Sequence, residues 1–156
     1  MSGLVVIDTN VAVLLAVGLV DIRIIKRHKR LQKYDEIDFR NLINLIGQFS
    51  ELIFIPNTLT ETSNIVRYLG EPDRSIVSEK LAEMASNHQE IFISSQSAAG
   101  RREFVRLGLA DSALLIMAEN GASLITDDAA LYEAAVRSGY AAINFTHVQA
   151  ARPDFP

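Results

Sequence analysis

Short runs of apolar, often β-branched residues alternate with longer stretches of helical periodicity along this chain of 156 residues. The runs lack the polar alternation of half-exposed strands, which is typical of strands buried on both faces of a parallel sheet. Five runs predict strands, at residues 4–7, 52–55, 91–93, 123–126 and 141–145. Helices are predicted over residues 11–20, 36–50, 58–69, 75–87, 110–120 and 128–138. The alternation predicts an α/β three-layer sandwich with a central, mainly parallel sheet of about five strands.

The composition suits one domain with a full hydrophobic core. Hydrophobic residues make up 49% of the chain, and we expect one domain over residues 1–150 followed by a C-terminal tail at 151–156. The chain has no cysteine, which excludes disulfides, a thiol nucleophile and cysteine-ligated zinc. Asp8 interrupts the apolar stretch at residues 3–20, and no positive charge precedes it. Neither a signal peptide nor a membrane span is therefore expected, and we expect a cytoplasmic protein.

The charge is unevenly distributed along the chain. The net charge is −4, from 15 basic and 19 acidic residues, which on its own argues mildly against a nucleic-acid partner. Residues 22–33 (IRIIKRHKRLQK), however, contain six basic residues and no acid, which leaves 9 basic and 19 acidic residues elsewhere. We call residues 22–33 the basic segment. It is the surface on which a polyanion would be expected to bind.

Carboxylates follow several of the predicted strands or open predicted helices. Asp8 directly follows the first strand, and Asp127 and Asp128 directly follow the fourth. Glu61 lies near the start of the helix after the second strand, and Asp111 opens the helix that leads into the fourth. Ligands of open α/β sheets bind outside the carboxyl ends of the strands. We therefore expect these acids to share one edge of the sheet.

Each acid also has a purely structural interpretation. Glu61 forms, with Thr58, the S/T-x-x-E pattern of a capping box, in which it would serve only its own helix. Asp128 suits an ordinary N-cap position. Asp111 precedes an apolar run and is harder to explain in this way. Asp8 is the hardest, because it lies between apolar segments where an unpaired carboxylate is costly.

A divalent cation would solve the repulsion within such a cluster. Neighbouring carboxylates disfavour one another's ionisation, so without compensation some would hold a proton at neutral pH. Oxygen ligands without cysteine or paired histidine favour Mg²⁺ or Mn²⁺ over zinc. A carboxylate-held ion of this kind suits phosphodiester hydrolysis, in which the metal activates water and stabilises the leaving oxygen.

Four segments also occur in a recognisable order. They are VVIDTNV at residues 5–11, the Thr60-Glu61 pair, GLADSALLIMA at residues 108–118 and LITDDAALYEAA at residues 124–135. With these motifs, nearly the whole chain resembles the PIN-domain ribonucleases, which include the VapC-type toxins of bacterial toxin–antitoxin pairs. The resemblance implies a PIN-like fold. It also implies an acidic cluster of Asp8, Glu61, Asp111 and Asp128.

The implied activity is metal-dependent endonucleolytic cleavage of RNA, preferably single-stranded or looped. One Mg²⁺ or Mn²⁺ would be held mainly by Asp8, Asp111 and Asp128, with Glu61 as an additional or water-mediated ligand. Asn10 and Thr126 resemble the family's supporting polar residues. Asp127, a further candidate supporting residue, is an extra acid at the variable position of the Thr-x-Asp motif and leaves open which of the two adjacent acids faces the metal. The family also implies a homodimer and, for a toxin, an antitoxin protein as partner.

The basic segment is a candidate for binding phosphates beside the acidic centre, where a separate cationic surface is needed because the acids repel RNA. Its candidate RNA-binding residues are Lys26, Arg27, Lys29, Arg30 and Lys33. A solvated surface without a ligand explains the same charges. Aromatic stacking platforms are scarce, since Tyr34 and Phe39 lie nearby but Phe39 fits a core stripe better.

Two other functions suit parts of this pattern. A haloacid-dehalogenase-like phosphatase also begins with Asp after a strand and ends with paired acids. Its mechanism requires a second Asp two residues after the first, and this chain has Asn10 at that position. It also requires a stabilising lysine ahead of the late acids, and Lys80 is the only lysine between residues 34 and 127. The third interpretation is a catalytically silent PIN-fold module that binds RNA or a protein.

Overall fold

The computed structural model describes residues 3–156, and it confirms the predicted α/β class with a five-stranded central sheet. The strands are β1 Leu4–Ile7, β2 Glu51–Phe54, β3 Gln89–Glu90, β4 Ser123–Thr126 and β5 Ala142–Asn144. The helices are α1 Thr9–Val20, α2 Glu36–Ile46, α3 Pro56–Val66, α4 Asp73–Asn87, α5 Ser95–Ala99, α6 Phe104–Glu119, α7 Ala129–Arg137 and α8 Phe145–Ala150. A 3₁₀ helix at Ile22–Arg27 connects α1 to the rest of the basic segment.

The sheet is parallel throughout, with strand order β3-β2-β1-β4-β5. The chain proceeds from β1 outward to β2 and β3, and then returns to place β4 and β5 on the other side of β1. The topological switch point therefore lies between β1 and β4, which are in register at Ile7 and Ile125. Open α/β sheets form their ligand crevice at the carboxyl ends of strands at such a point.

Helices cover both faces of the sheet and complete three layers. Val5 and Ile7 of β1 belong to a core cluster with α1 to α4, whereas Val6 belongs to a second cluster with α5 to α7. The alternation of side chains along a strand explains this division. Because both faces are covered, the strands need no polar face, as their sequences predicted. Within residues 3–156, no helix combines the length and the apolar character that crossing a membrane requires.

The third strand differs from its prediction. β3 consists of Gln89 and Glu90, and beyond it only the Ile91 amide continues the pairing, by donating to the Phe54 carbonyl at 2.9 Å. Phe92 is 77% exposed, although the run at 91–93 predicted a buried strand. Ile91 and Ile93 remain partly buried against the second core cluster, so the run continues over the core beyond the short edge strand β3 while Phe92 between them faces solvent.

The other predicted elements are confirmed with shifted ends. The helix predicted over 36–50 ends at Ile46, and the one predicted over 58–69 begins at Pro56 and ends at Val66. The helix predicted over 110–120 begins earlier, at Phe104, and is broken at Gly108, which has a φ of 87°. The 3₁₀ helix, α5 and α8 have no counterpart among the predicted elements because they are too short to show a hydrophobic period.

The end of the chain is tied to α2 and to the basic segment. Arg152 Nη1 donates to Asp35 Oδ1 at 2.8 Å and to Asp38 Oδ1 at 2.9 Å. Gln149 Nε2 donates to Asp38 Oδ2 at 2.9 Å and to the Lys33 carbonyl at 2.7 Å. The last residues of the chain therefore help to fix the end of the basic segment, which lies next to the site described below.

Candidate acidic site at the carboxyl edge of the sheet

A cavity of about 350 Å³ lies at the switch point, and all of the predicted acids line it. Its walls come from the end of β1 and the start of α1, from α3, from α6, from the loop after β4 and from the basic segment. The lining residues are Asp8, Thr9, Asn10, Arg30, Glu61, Asn64, Ile65, Asp111, Asp127 and Asp128. Acids that are far apart in sequence thus converge because their strands end at one edge.

Asp8 is a buried carboxylate, 8% exposed, at the junction of β1 and α1. Its Oδ1 accepts a hydrogen bond from the Thr9 amide at 2.7 Å, and its Oδ2 accepts one from Thr126 Oγ1 at 2.7 Å. Burial outweighs these two bonds and, together with the negative charges of Asp127 and Asp128, raises the pKa of Asp8 from 3.8 to about 6. Within residues 3–156, Asp8 therefore has no positive partner of the kind that usually accompanies a buried carboxylate.

Glu61 does not form the capping box that its sequence suggested. Because α3 begins at Pro56, Thr58 lies inside the helix, where its Oγ1 is buried without a hydrogen-bond partner. Glu61 lies beyond the first turn, and its Oε1 instead accepts a hydrogen bond from Thr9 Oγ1 at 2.9 Å. This bond joins α3 to the start of α1. The capping-box interpretation of Glu61 is therefore wrong.

Asp111 follows the break in α6. The positive φ of Gly108 interrupts the helix, and Asp111 lies in the first turn after the interruption. Burial first, and then the charges of Asp8, Asp128 and Glu61, raise its pKa from 3.8 to about 7. Asp111 is thus held among like charges, which indicates that the cavity has more negative charge than its described residues compensate.

The two adjacent acids after β4 have different surroundings. Asp128 is the N-cap of α7, and its Oδ1 accepts from the amides of Ala130 and Leu131 at 2.9 and 3.1 Å. Within residues 3–156, its Oδ2 accepts no hydrogen bond. The Asp128 amide in turn donates to Thr126 Oγ1 at 3.0 Å, so that one hydroxyl connects Asp8 to the loop of Asp128.

The Asp127 side chain is only 3% exposed, and both of its oxygens are bound by other side chains. Tyr34 Oη donates to its Oδ2 at 2.7 Å, and Lys33 Nζ lies 3.1 Å from the same atom. Asn10 Nδ2 donates to its Oδ1 at 3.4 Å. Asp127 therefore attaches the end of the basic segment to the acidic cavity, whereas Asp128 retains a carboxylate oxygen for a ligand.

Sequence reasoning missed two residues of the site, Thr9 and Tyr34. Thr9 stands between Asp8 and Asn10 in the first motif, and its hydroxyl orients Glu61 across the cavity. Tyr34 is fully buried, with its ring against Phe145 and its hydroxyl on Asp127. A single tyrosine after a basic run has no periodicity or spacing that would predict this contact.

Two residues of the basic segment reach the cavity. Arg30 lines its wall, and Lys33 forms an ion pair with Asp127. Buried His28 fixes their position, because its Nε2 lies 3.0 Å from the Ile65 carbonyl and its Nδ1 accepts from the Arg30 amide at 3.0 Å. These partners assign the neutral Nε2-protonated tautomer, in agreement with the pKa of His28, which burial lowers.

The other predicted RNA-binding residues are exposed but lie outside the cavity lining. Arg27 forms an ion pair with Asp73 at 3.0 Å, and Lys29 Nζ lies 5.0 Å from the centre of the Tyr68 ring. Lys26 donates to a backbone carbonyl of the same segment at 3.3 Å. Half-exposed pairs of this kind are weak and are readily exchanged for a phosphate.

The donor set suits a divalent cation by its chemistry, because it offers carboxylate oxygens with uncompensated negative charge. In the conformation that residues 3–156 adopt, no three Asp, Glu or His side chains lie close enough together to hold one ion. Hydrogen bonds orient Asp8, through Thr9 and Thr126, and Asp128, through its own helix. Shared ligation therefore requires rotation of the less constrained side chains.

Replacing Tyr34 with phenylalanine tests the attachment of the basic segment to Asp127. We expect Tyr34→Phe to lower the free energy of unfolding by about 1–3 kcal/mol, because a buried carboxylate loses a hydrogen-bond donor. Urea unfolding measures the effect. Tyr132→Phe is the matched control, since the Tyr132 hydroxyl has no hydrogen bond within the part of the chain that the structure describes. Equal stabilities of the two variants would contradict this role of Tyr34.

Comparison with known proteins adds no family to these observations. No protein-family model matches the chain, and no curated protein sequence matches it. The motifs and the geometry of the cavity are therefore the observations on which a function can be based.

Proposed function

We propose that this protein is a divalent-metal-dependent endoribonuclease that hydrolyses phosphodiester bonds of single-stranded or looped RNA. One observation carries the proposal. Carboxylates from four separate segments meet in one cavity at the switch point of the sheet, and the pKa values of two of them, Asp8 and Asp111, are raised. Clustered acids with perturbed pKa values are typical of catalytic and ion-binding sites.

Asp8, Asp111 and Asp128 would hold Mg²⁺ or Mn²⁺, with Glu61 as an additional ligand. When bound, the metal would activate water and neutralise charge at the phosphate. The chain itself supplies the orientation of these ligands. Thr126 holds Asp8 Oδ2, and Thr9 holds Glu61 Oε1. Such supporting bonds fix ligand geometry and are worth about 10- to 100-fold in metal affinity or activity.

The surroundings of the cavity suit a polyanionic substrate. Arg30 lines the cavity, and Lys33 lies at its rim beside Asp127. These cations offset the repulsion between a phosphate and the acids, and they lie on the side of the cavity to which the rest of the basic segment leads. A strand bound along this segment would bring one of its phosphates to Asp8.

Cleavage of RNA by the metal-free and the metal-loaded protein tests the proposal. We expect no cleavage of an end-labelled single-stranded RNA after EDTA treatment, and cleavage after Mg²⁺ or Mn²⁺ is restored. Cleavage that is insensitive to EDTA would contradict the metal mechanism. RNA binding without cleavage at any metal concentration would instead support the silent RNA-binding module.

Hydrolysis of p-nitrophenyl phosphate would support the phosphatase alternative, which the geometry disfavours. Lys80, the only lysine between residues 34 and 127, lies on α4 in an ion pair with Glu83 and does not line the cavity. The position of the required second acid is Asn10, whose amide binds Asp127. Lys80 is therefore not placed to stabilise a phosphoryl group in the cavity, and the amide of Asn10, although it lines the cavity, cannot act as a general acid.

The proposal extends to the partners that the resemblance to PIN-domain ribonucleases implies. These are a second copy of the chain and, for a toxin that acts in the cytoplasm, an antitoxin protein. A gene for a small partner protein beside the gene for this chain is the observation that would support the toxin role.

Removing the cations of the cavity rim tests the RNA-binding side of the proposal. We expect the double variant Arg30→Gln, Lys33→Gln to bind RNA more weakly and to flatten the plot of log affinity against log salt by about 0.7 for each lost phosphate contact. Fluorescence anisotropy over a salt series measures this slope. The double variant Arg40→Gln, Arg137→Gln is the control, because it removes the same charge outside the cavity. Identical slopes for the two double variants would contradict the prediction.

A further inference from the structure

A second groove, of about 410 Å³, adjoins the acidic cavity and shares Glu61 with it. It lies between the first turns of α3, the loop after β3 and the part of α6 that follows the break at Gly108. Its lining residues are Pro56, Asn57, Thr60, Glu61, Phe92, Ile93, Ser95, Leu109 and Ala110. A ligand that occupies the acidic cavity can therefore extend into this groove past Glu61.

The groove contains a large aromatic side chain exposed to solvent. Phe92 is 77% exposed, and Leu109 beside it is 37% exposed. By contrast, Tyr34 is fully buried and Phe39 is 9% exposed, and Tyr68, which lies beside Lys29 of the basic segment, is 59% exposed but lines neither cavity. Among the residues that line the two cavities, Phe92 is the one aromatic ring offered to a ligand.

The polar residues of the groove are uncharged, apart from the shared Glu61. Asn57, Thr60 and Ser95 make no side-chain hydrogen bonds within residues 3–156, so their amide and hydroxyl groups remain free for a ligand. An aromatic floor with a few uncharged donors and acceptors suits a flat, neutral ring with a polar edge. It does not suit a phosphate, because the nearest charge is a carboxylate.

We propose that this groove is a nucleobase subsite, in which an unpaired base next to the cleaved phosphate stacks on Phe92 and presents its polar edge to Asn57 and Thr60. Because the RNA strand is the substrate of the proposed nuclease, the subsite rests on that function. Such a subsite would favour single-stranded or looped RNA, since a paired base cannot leave its stack to enter the groove without an energetic cost. It also places a selective contact beside the acids.

Binding of RNA to non-cleaving protein tests the subsite without using catalysis. The probes are single-stranded RNA oligonucleotides that carry 2-aminopurine at successive positions, bound to the Asp8→Asn protein in EDTA. We expect one position to be quenched by stacking, and we expect Phe92→Ala to abolish this quenching and to weaken binding by about 5- to 150-fold. Phe92→Tyr preserves the ring and should restore both signals, and Val105→Ala, which removes an exposed apolar group outside the groove, should change neither.

The possible results distinguish the nucleobase subsite from the other roles of this groove. RNA binding that is unaffected by Phe92→Ala would overturn the subsite and leave the proposed nuclease intact. A failure of the protein to bind or cleave any RNA would overturn both. A shift from dimer to monomer on Phe92→Ala, measured by light scattering, without loss of quenching would assign the groove to a second copy of the chain and overturn the nucleobase proposal.

Discussion

Replacing Asp8 with asparagine is expected to abolish RNA cleavage while leaving RNA binding intact. Asp8 is buried and oriented on both oxygens, by the Thr9 amide and by the Thr126 hydroxyl. An amide is a poor ligand for Mg²⁺ in comparison with a carboxylate. Because even supporting residues of a metal site are worth 10- to 100-fold, we expect the loss of this ligand to lower the cleavage rate by more than about 100-fold.

Single-turnover cleavage of a labelled RNA measures the loss, and anisotropy with the same RNA measures binding. Glu133→Gln is the control, because it removes one exposed negative charge from α7 without altering the cavity. We expect the control to cleave at the wild-type rate. An Asp8→Asn protein that cleaves normally would exclude Asp8 from the reaction, and one that no longer binds RNA would assign Asp8 a role in binding instead.

The same substitution is expected to stabilise the metal-free protein. The pKa of Asp8 rises from 3.8 to about 6 on folding, so between these values the folded protein holds a proton that the unfolded chain has released. The free energy of unfolding therefore falls as pH rises from about 3.8 to about 6. Above about pH 6 the whole destabilisation caused by the buried Asp8 charge is present. A pKa shift of about two units corresponds to a destabilisation of about 3 kcal/mol. The uncharged side chain of asparagine avoids this destabilisation.

Urea unfolding in EDTA at pH 5 and pH 8 tests this expectation. We expect the free energy of unfolding of Asp8→Asn to exceed that of the wild type by up to about 3 kcal/mol at pH 8 and by about half as much at pH 5. Asp111, with a pKa of about 7, extends the pH dependence of the wild type in the same direction. Millimolar Mg²⁺ should then stabilise the wild type more at pH 8 than at pH 5, because protons compete for the same oxygens. Equal stabilities of the two metal-free proteins at pH 8 would contradict this origin of the pKa shift.

Much of the fold could be predicted from the sequence because hydrophobic pattern is a local signal. The run Leu4–Ile7, for example, has no polar alternation and forms a strand buried between two layers of helices. The order of the strands could not be predicted in this way, since it depends on which strands pair across long separations. The exposure of Phe92 could not be predicted from the local sequence either, because an apolar run has the same sequence pattern whether or not neighbouring elements cover it.

The acids of the site could be predicted because they follow strands, and parallel strands end at one edge. The hydrogen-bond partners of these acids could not be predicted in this way. The contact between Thr9 and Glu61 depends on where α3 begins, and the sequence placed that start at Thr58 instead of Pro56. The contact between Tyr34 and Asp127 depends on the path of the basic segment, which Gln149 fixes from the far end of the chain.

The hydrogen bond from Thr126 to Asp8 joins residues that are 118 positions apart, which has a consequence during synthesis of the chain. β1 leaves the ribosome first, but β4, its partner at the switch point, is among the last strands to appear. A growing chain therefore contains Asp8, Glu61 and Asp111 before it contains Asp128 or the Thr126 hydroxyl that orients Asp8. An unfinished chain is thus expected to lack the proposed ribonuclease activity, also towards the messenger RNA that encodes it.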